Sequence, residues 1–311
     1  MRGFEGVMAG SLHALVGLVV HVTIALVAFG VGMTAASELA NVLRLRRGLV
    51  VRSLLGVLVT VPLAAVLLVK AIDLPRAVTV GVLVSAIAIG PVAALSKSAK
   101  EQAGVAFALA LDLLLLVLSL AFVPMAVWAI GAAFQRELHL GVGVVARVIL
   151  PLQLLPLLAG LAVGRFAPGF TKAIARPLAL GTNLMLGAIV VLVLVLAFKP
   201  MLGIGARGFL VLAVLSGLAL TLAHLLGGPT ATDRRVLAAF MTLRFPALAL
   251  ALARLTSAPR TVVPTVVAYI VLSALAYALY TALAGRLGRG ASGLGKGADH
   301  PTESRPHPAH G

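Results

Sequence analysis

Three charged side chains sit where the sequence is otherwise apolar: Lys97, Asp112 and Arg244. The chain has nine acidic residues, and only Asp112 lies deep inside an apolar run. Counted from the start of its run near residue 103, it sits about 14 Å along a helix that rises 1.5 Å per residue. Arg244 lies about 15 Å into its own run, which starts from the same side near residue 234. A lone charge at that depth in hydrocarbon costs about 3 kcal/mol or more, so opposite charges at equal depth are expected to pair. Lys97 is expected to lean toward the same centre. Such residues can neutralise one another, attract an organic anion, or bind a proton at Asp112. Nucleophilic and metal chemistry lack their parts. There is no cysteine, no second deep carboxylate and only scattered histidines. No enzyme activity, resident metal or cofactor is therefore expected.

These residues must be held by a membrane-embedded framework. Of 311 residues, 61% are hydrophobic and 11% charged, with a mean hydropathy of +1.13. About a quarter of the residues in soluble domains are charged, so this composition cannot cover a normal globular surface. Runs near the roughly 20 residues that a helix needs to cross a bilayer recur along the chain. Alternating ten-residue segments of a membrane barrel are absent. The expected fold is an all-α polytopic transmembrane bundle of about nine spans, near 11–34, 48–71, 75–95, 103–132, 140–165, 176–198, 206–227, 234–254 and 261–286. The net charge of +16 does not imply nucleic acid, because the basic residues stand singly or in short groups between apolar runs.

Those basic residues orient the bundle. Arg44, Arg46, Arg47, Arg52, Lys97, Lys100, Arg165, Lys172, Arg176, Arg234, Arg235, Arg286, Arg289, Lys296 and Arg305 fall on one side. Arg2, Lys70, Arg76, Arg136, Lys199, Arg207, Arg254 and Arg260 fall on the other, fifteen against eight. The richer side is expected to be cytoplasmic, in the plasma (inner) membrane, with the N-terminus outside and the C-terminus inside. The transmembrane domain is expected to cover 1–287. Residues 288–311, rich in Gly, Pro and His, are expected to form a disordered cytoplasmic tail. Its His300, His307 and His310 read as solvated side chains. His21 is a candidate for a proton path or a packed neutral side chain. Arg147 is expected to snorkel, and Trp128 to sit in an interfacial belt.

Two spans are interrupted. The third carries Gly90-Pro91 in mid-stretch and the eighth carries Pro246. Proline removes a helical donor and clashes with the preceding turn. Paired breaks at corresponding places in two halves point to a transporter binding site, with packing kinks as the plain alternative.

The wider pattern resembles the bile acid:sodium symporter family. The resemblance rests on GVGMTAASELANVLRLRRGLVV (30–51), on the first crossing region VTVPLAAVLLVKAIDLPRAVTVGVLVSAIAIGPVAALSKSAKEQAGVAFALALD (59–112), and on ATDRRVLAAFMTLRFPALALALA (231–253). It extends from about Gly30 to Leu287, in spacing and hydropathy more than in polar motifs. It implies inverted repeats, two crossing broken helices, and separate panel and core domains. Spans near 11–34, 140–165 and 176–198 would form the panel. Those within 48–132 and 206–286 would form the core, with the family's usual first helix missing.

The departures bear on mechanism. Where the family reads Pro-Gly-Gly-Thr-Ala-Ser-Asn, this chain reads Pro91-Val92-Ala93-Ala94-Leu95-Ser96-Lys97. The Ser and Thr usual on the next helix become Ala108 and Asp112, and the Glu and Gln of the second crossing become Phe240 and Arg244. A Gln on an earlier helix aligns with Val57. Ser96 remains as a side-chain ligand. Sodium is not expected at the usual sites, since Lys97 and Arg244 place fixed cations there. The resemblance implies a secondary transporter for a small organic anion, with Pro91, Ser96, Lys97, Asp112, Phe240, Arg244 and Pro246 around its substrate or ion site. The alternatives are a non-transporting membrane protein on the same scaffold and a proton-coupled carrier using Asp112. The lipid bilayer and the anion are the expected partners.

Overall fold

The computed structural model of the chain describes residues 2–34, 46–89, 102–135, 140–255 and 259–295. They are almost entirely helical, and no strand occurs among them. Helix α1 spans Arg2–Thr34 and α2 spans Arg47–Ala71. Helix α3 covers Arg76–Ile87, α4 Gln102–Ala133 and α5 Val142–Phe166. Helices α6 and α7 run over Pro168–Leu202 and Gly205–Leu226. Helices α8 and α9, Ala231–Thr242 and Pro246–Arg254, are the two parts of the interrupted eighth span. Helix α10 runs over Pro259–Gly295.

Six stretches among the described residues are helical, long and apolar enough to cross a bilayer. They are Arg47–Ala71, Ala106–Ala133, Val142–Phe166, Gly205–Leu226, Ala231–Arg254 and Thr261–Ala284. Shorter apolar helices lie at Gly17–Met33 and Arg76–Ile87. Large apolar side chains such as Leu63, Leu118, Val195 and Leu279 face outward, whereas Ser85, Asp112, Gln153 and Arg244 are buried. This inversion of the usual soluble pattern is what a hydrocarbon solvent selects. The chain is an all-α helical bundle of the membrane. Trp128 and Arg147 are both exposed, and so is His21, which bonds a carbonyl of its own helix at Gly17.

Within Met1–Tyr277 the helices fall into two packed groups. Helix α1 packs along the second half of α5 and against α6. Helix α7 packs on α8 and α2, α2 on α3, and α3 on α9. The first half of α5 joins the groups by contacting α4 and α9. The α1–α5 contact depends on Gly160 and Gly164, a small-xxx-small pair of the kind that lets membrane helices approach closely. A Cβ at Gly160 would strike the Phe29 carbonyl, and one at Gly164 the Met33 carbonyl.

Helix α2 and helix α5 each contain a π-helical turn, at Gly56–Thr60 and Leu150–Leu154. Both lie beside prolines, Pro62 in α2 and Pro151 and Pro156 in α5. A proline cannot donate to the carbonyl four residues back, and the ladder takes up an extra residue there. The last helix continues to Gly295, beyond the predicted end of the transmembrane domain at 287. An established helix extends at low cost, since each added residue gains one hydrogen bond. The remainder of the predicted tail, 296–311, lies outside the described residues.

Gly160→Ala or Gly164→Ala is expected to overpack the α1–α5 contact at a cost of about 1–3 kcal/mol. A drop of several degrees in Tm, measured on the detergent-solubilised protein, is the expected outcome. Gly181→Ala, where nothing lies within 4 Å of the added carbon, should leave Tm unchanged.

Candidate functional site

The eighth span breaks for a local reason. Phe245 precedes Pro246, and a residue before proline is pushed out of the helical region into extended backbone. Helix α8 closes where Leu243 N–H donates to the Ala239 carbonyl at 2.8 Å. Leu243 then turns extended (φ −78°, ψ 136°), as does Phe245 (φ −75°, ψ 104°). Pro246 opens α9 at a position where its missing donor costs nothing. Helix α3 ends where Ala88 leaves helical geometry at φ −77°, ψ 88°, and the rest of the predicted third span, with Gly90-Pro91, lies outside the described residues.

The two breaks touch. Phe245 N–H donates to the Ala88 carbonyl at 3.1 Å, which joins the end of α3 to the gap between α8 and α9. On the other side of that gap, the Tyr269 hydroxyl of α10 donates to the Thr242 carbonyl at 3.1 Å. Three backbone groups, the Phe245 N–H and the Ala88 and Thr242 carbonyls, are thus satisfied inside the protein, as a membrane interior requires.

Arg244 occupies the middle of the gap and is only 4% exposed. Among the described residues no acceptor lies in good hydrogen-bond geometry to its Nε, Nη1 or Nη2, and its one polar neighbour is the Tyr269 hydroxyl. Phe240, one turn earlier on α8, is buried. Val57 lies buried in the π-turn of α2. Pro91, Ser96 and Lys97 lie outside the described residues.

Asp112 does not pair with Arg244, contrary to the expectation from matched depth. It is 1% exposed on α4, and both its carboxylate oxygens accept from Gln153 Nε2, at 3.2 and 3.3 Å. Depth along a helix fixes one coordinate and leaves the direction around the axis open. Asp112 points to α5, where the π-turn brings Gln153 inward. Gln153 Oε1 is buried without a donor.

The ion pair that does form among the described residues is Arg46 Nη1 to Asp233 Oδ1, at 2.6 Å. It ties the start of α2 to the start of α8. Thr230 Oγ1 accepts from the Asp233 backbone N–H at 3.1 Å and caps that helix. The Thr230-Ala-Thr-Asp233 spacing is a capping pattern visible in the sequence. Gln153 also had a signal, since a deep amide between two prolines in one span is unusual. Nothing in residue spacing marks Tyr269 as the partner of Thr242.

Comparisons of the chain with protein-family models and with curated proteins give no match. The chemistry must therefore be read from the side chains themselves. Among the described residues no three His, Cys, Asp or Glu side chains come together to hold a metal ion. What the arrangement does offer is a buried guanidinium whose one polar neighbour among the described residues is Tyr269 and, separately, a buried carboxyl–amide pair.

A double-mutant cycle distinguishes these contacts. Asp112→Asn and Gln153→Leu are expected to show a coupling energy of about 0.5–3 kcal/mol in thermal or denaturant unfolding. Asp112→Asn and Arg244→Gln should add within about 0.5 kcal/mol. Strong coupling in the second cycle and none in the first would restore the pair expected from depth.

Proposed function

We propose that the protein is a secondary transporter of a small organic anion, working by alternating access on a scaffold similar to that of bile acid:sodium symporters. In this reading the bundle has nine spans in inverted repeats. The group of α1, α5 and α6 serves as the panel, and α2–α4 with α7–α10 serve as the core. The N-terminus lies outside and the C-terminus in the cytoplasm of the plasma (inner) membrane.

The observation that carries the proposal is the buried guanidinium of Arg244, without a carboxylate partner among the described residues, in the broken eighth span where it meets the end of α3. A buried cation without a counter-ion is costly, by several kcal/mol. An anion entering there would supply the missing partner, and the start of α9 adds the partial positive charge of a helix N-terminus. The resemblance in sequence and the contact between the breaks support the same reading. Sodium coupling at the usual positions does not fit, because Val57, Phe240 and Arg244 stand where oxygen ligands would be needed. The alternative of a scaffold sealed by an Asp112–Arg244 bridge loses its basis, as Asp112 bonds Gln153 instead.

Uptake into proteoliposomes tests the proposal, with a panel of radiolabelled sulfonates and carboxylates offered with sodium present and with sodium replaced by potassium. At least one anion should enter at equal rates in both salts. Arg244→Gln should lower its uptake about tenfold or more, as expected for losing a charge-assisted contact of about 1.5–3 kcal/mol. Strict sodium dependence would overturn the fixed-cation idea. Failure of every anion in the panel would overturn the carrier reading.

A further inference from the structure

The carboxyl of Asp112 and the amide of Gln153 are buried together, away from Arg244. On α4 the neighbouring Leu109, Leu111, Leu115 and Leu116 are fully buried, as is Ile149 on α5. One amide nitrogen serves both carboxylate oxygens, while the amide oxygen has no donor. An ionised carboxylate only accepts, so it cannot satisfy that oxygen. A protonated Asp112 can. One carboxyl oxygen then carries the proton and donates it in a hydrogen bond to Gln153 Oε1. The other accepts from Nε2–H, and the acid and amide close a ring that uses both faces of the amide. The proton comes from water, and the site passes from negative to neutral.

Other charges do not take this role among the described residues. The elements packed against α4 carry Arg47, Arg52 and Lys70 on α2, Arg147 and Arg165 on α5, and Asp233, Arg234 and Arg235 on α8. None of them bonds to Asp112, whose partner is Gln153. Arg47, Arg52, Lys70, Arg147 and Arg165 are exposed. Asp233 is engaged by Arg46, and Arg234 donates to the Gly228 and Pro229 carbonyls.

We infer that Asp112 and Gln153 form a proton-binding site and, on the reading of the protein as an anion carrier, that a proton is its coupling ion. The placement gives the site leverage. Helix α5 packs along α1, whereas α4 packs with α8, so the Asp112–Gln153 bond bridges the two helix groups. Any sliding of one group past the other must break or remake this bond. Loading it with a proton changes its charge at that contact.

Infrared difference spectroscopy of the full chain in lipid vesicles, between acid and alkaline pH, tests the site without a substrate. A protonated-carboxyl band is expected that disappears as pH rises, shifts in deuterated water and is missing from Asp112→Asn. Asp112→Glu should retain such a band. Gln153→Leu should move the band to higher frequency, because the carbonyl loses its donor. Absence of any Asp112-dependent band overturns the site, and a band indifferent to Gln153→Leu overturns the pairing. In the same vesicles an inward proton gradient should accelerate uptake of naphthalenesulfonate, which stays ionised and cannot cross as a free acid. Uptake that ignores the gradient overturns the coupling alone. An intact band with no uptake of this or any other anion overturns the carrier reading and leaves proton binding standing.

Discussion

The hydrogen bond from Phe245 N–H to the Ala88 carbonyl is the contact on which the centre of this protein depends. A helix that breaks inside a membrane exposes backbone donors and acceptors to a solvent that cannot bond them. Each buried group left unpaired costs about 1–3 kcal/mol. Two breaks placed against one another share that cost. The end of α3 supplies an acceptor and the gap before α9 supplies a donor. Tyr269 takes care of the Thr242 carbonyl from a third helix. Once these groups are satisfied, irregular backbone can persist at the centre of the bundle and hold Arg244 there.

Charge follows from the same constraint. Burying Arg244 and Asp112 in one interior invites a salt bridge, and equal depth makes one plausible from sequence. The helices instead direct the two side chains to different partners. Asp112 reaches across to the π-turn of α5, and Arg244 remains in the gap beside Tyr269. Two unneutralised ionisable groups in a membrane interior are expensive unless each has a ligand that arrives from outside. An anion suits one and a proton the other, which would leave each of the two side chains neutralised where it stands.

Much of the fold was legible in the sequence because apolar runs of span length admit few readings. Helices occur in each predicted run as far as it is described, and the break at Leu243–Phe245 follows from the restriction that Pro246 places on its neighbour. Asp112 and Arg244 stood out in the sequence because their charge departs from their apolar surroundings, and both are buried, whereas Phe240 entered only through the resemblance. The partners of the two charges were not legible. Which way a side chain faces around a helix depends on local winding, and the π-turns at Gly56–Thr60 and Leu150–Leu154 rotate everything after them. That rotation brings Gln153 to Asp112 and defeats an argument from depth. The Arg46–Asp233 pair escaped for a different reason. Arg46 belongs to a basic cluster that reads as a topology signal, and its partner lies 187 residues away.

The central claim is that the Arg244 guanidinium takes an anion as its partner, without the help of sodium. Equilibrium binding measures this most directly. Purified wild type and Arg244→Gln, in sodium-free detergent solution, would be titrated with naphthalenesulfonate and related anions by calorimetry. Saturable binding to the wild type, weakened about tenfold or more in Arg244→Gln, is the predicted result. Binding that appears only when sodium is added, or that is equal in the two proteins, would contradict the account.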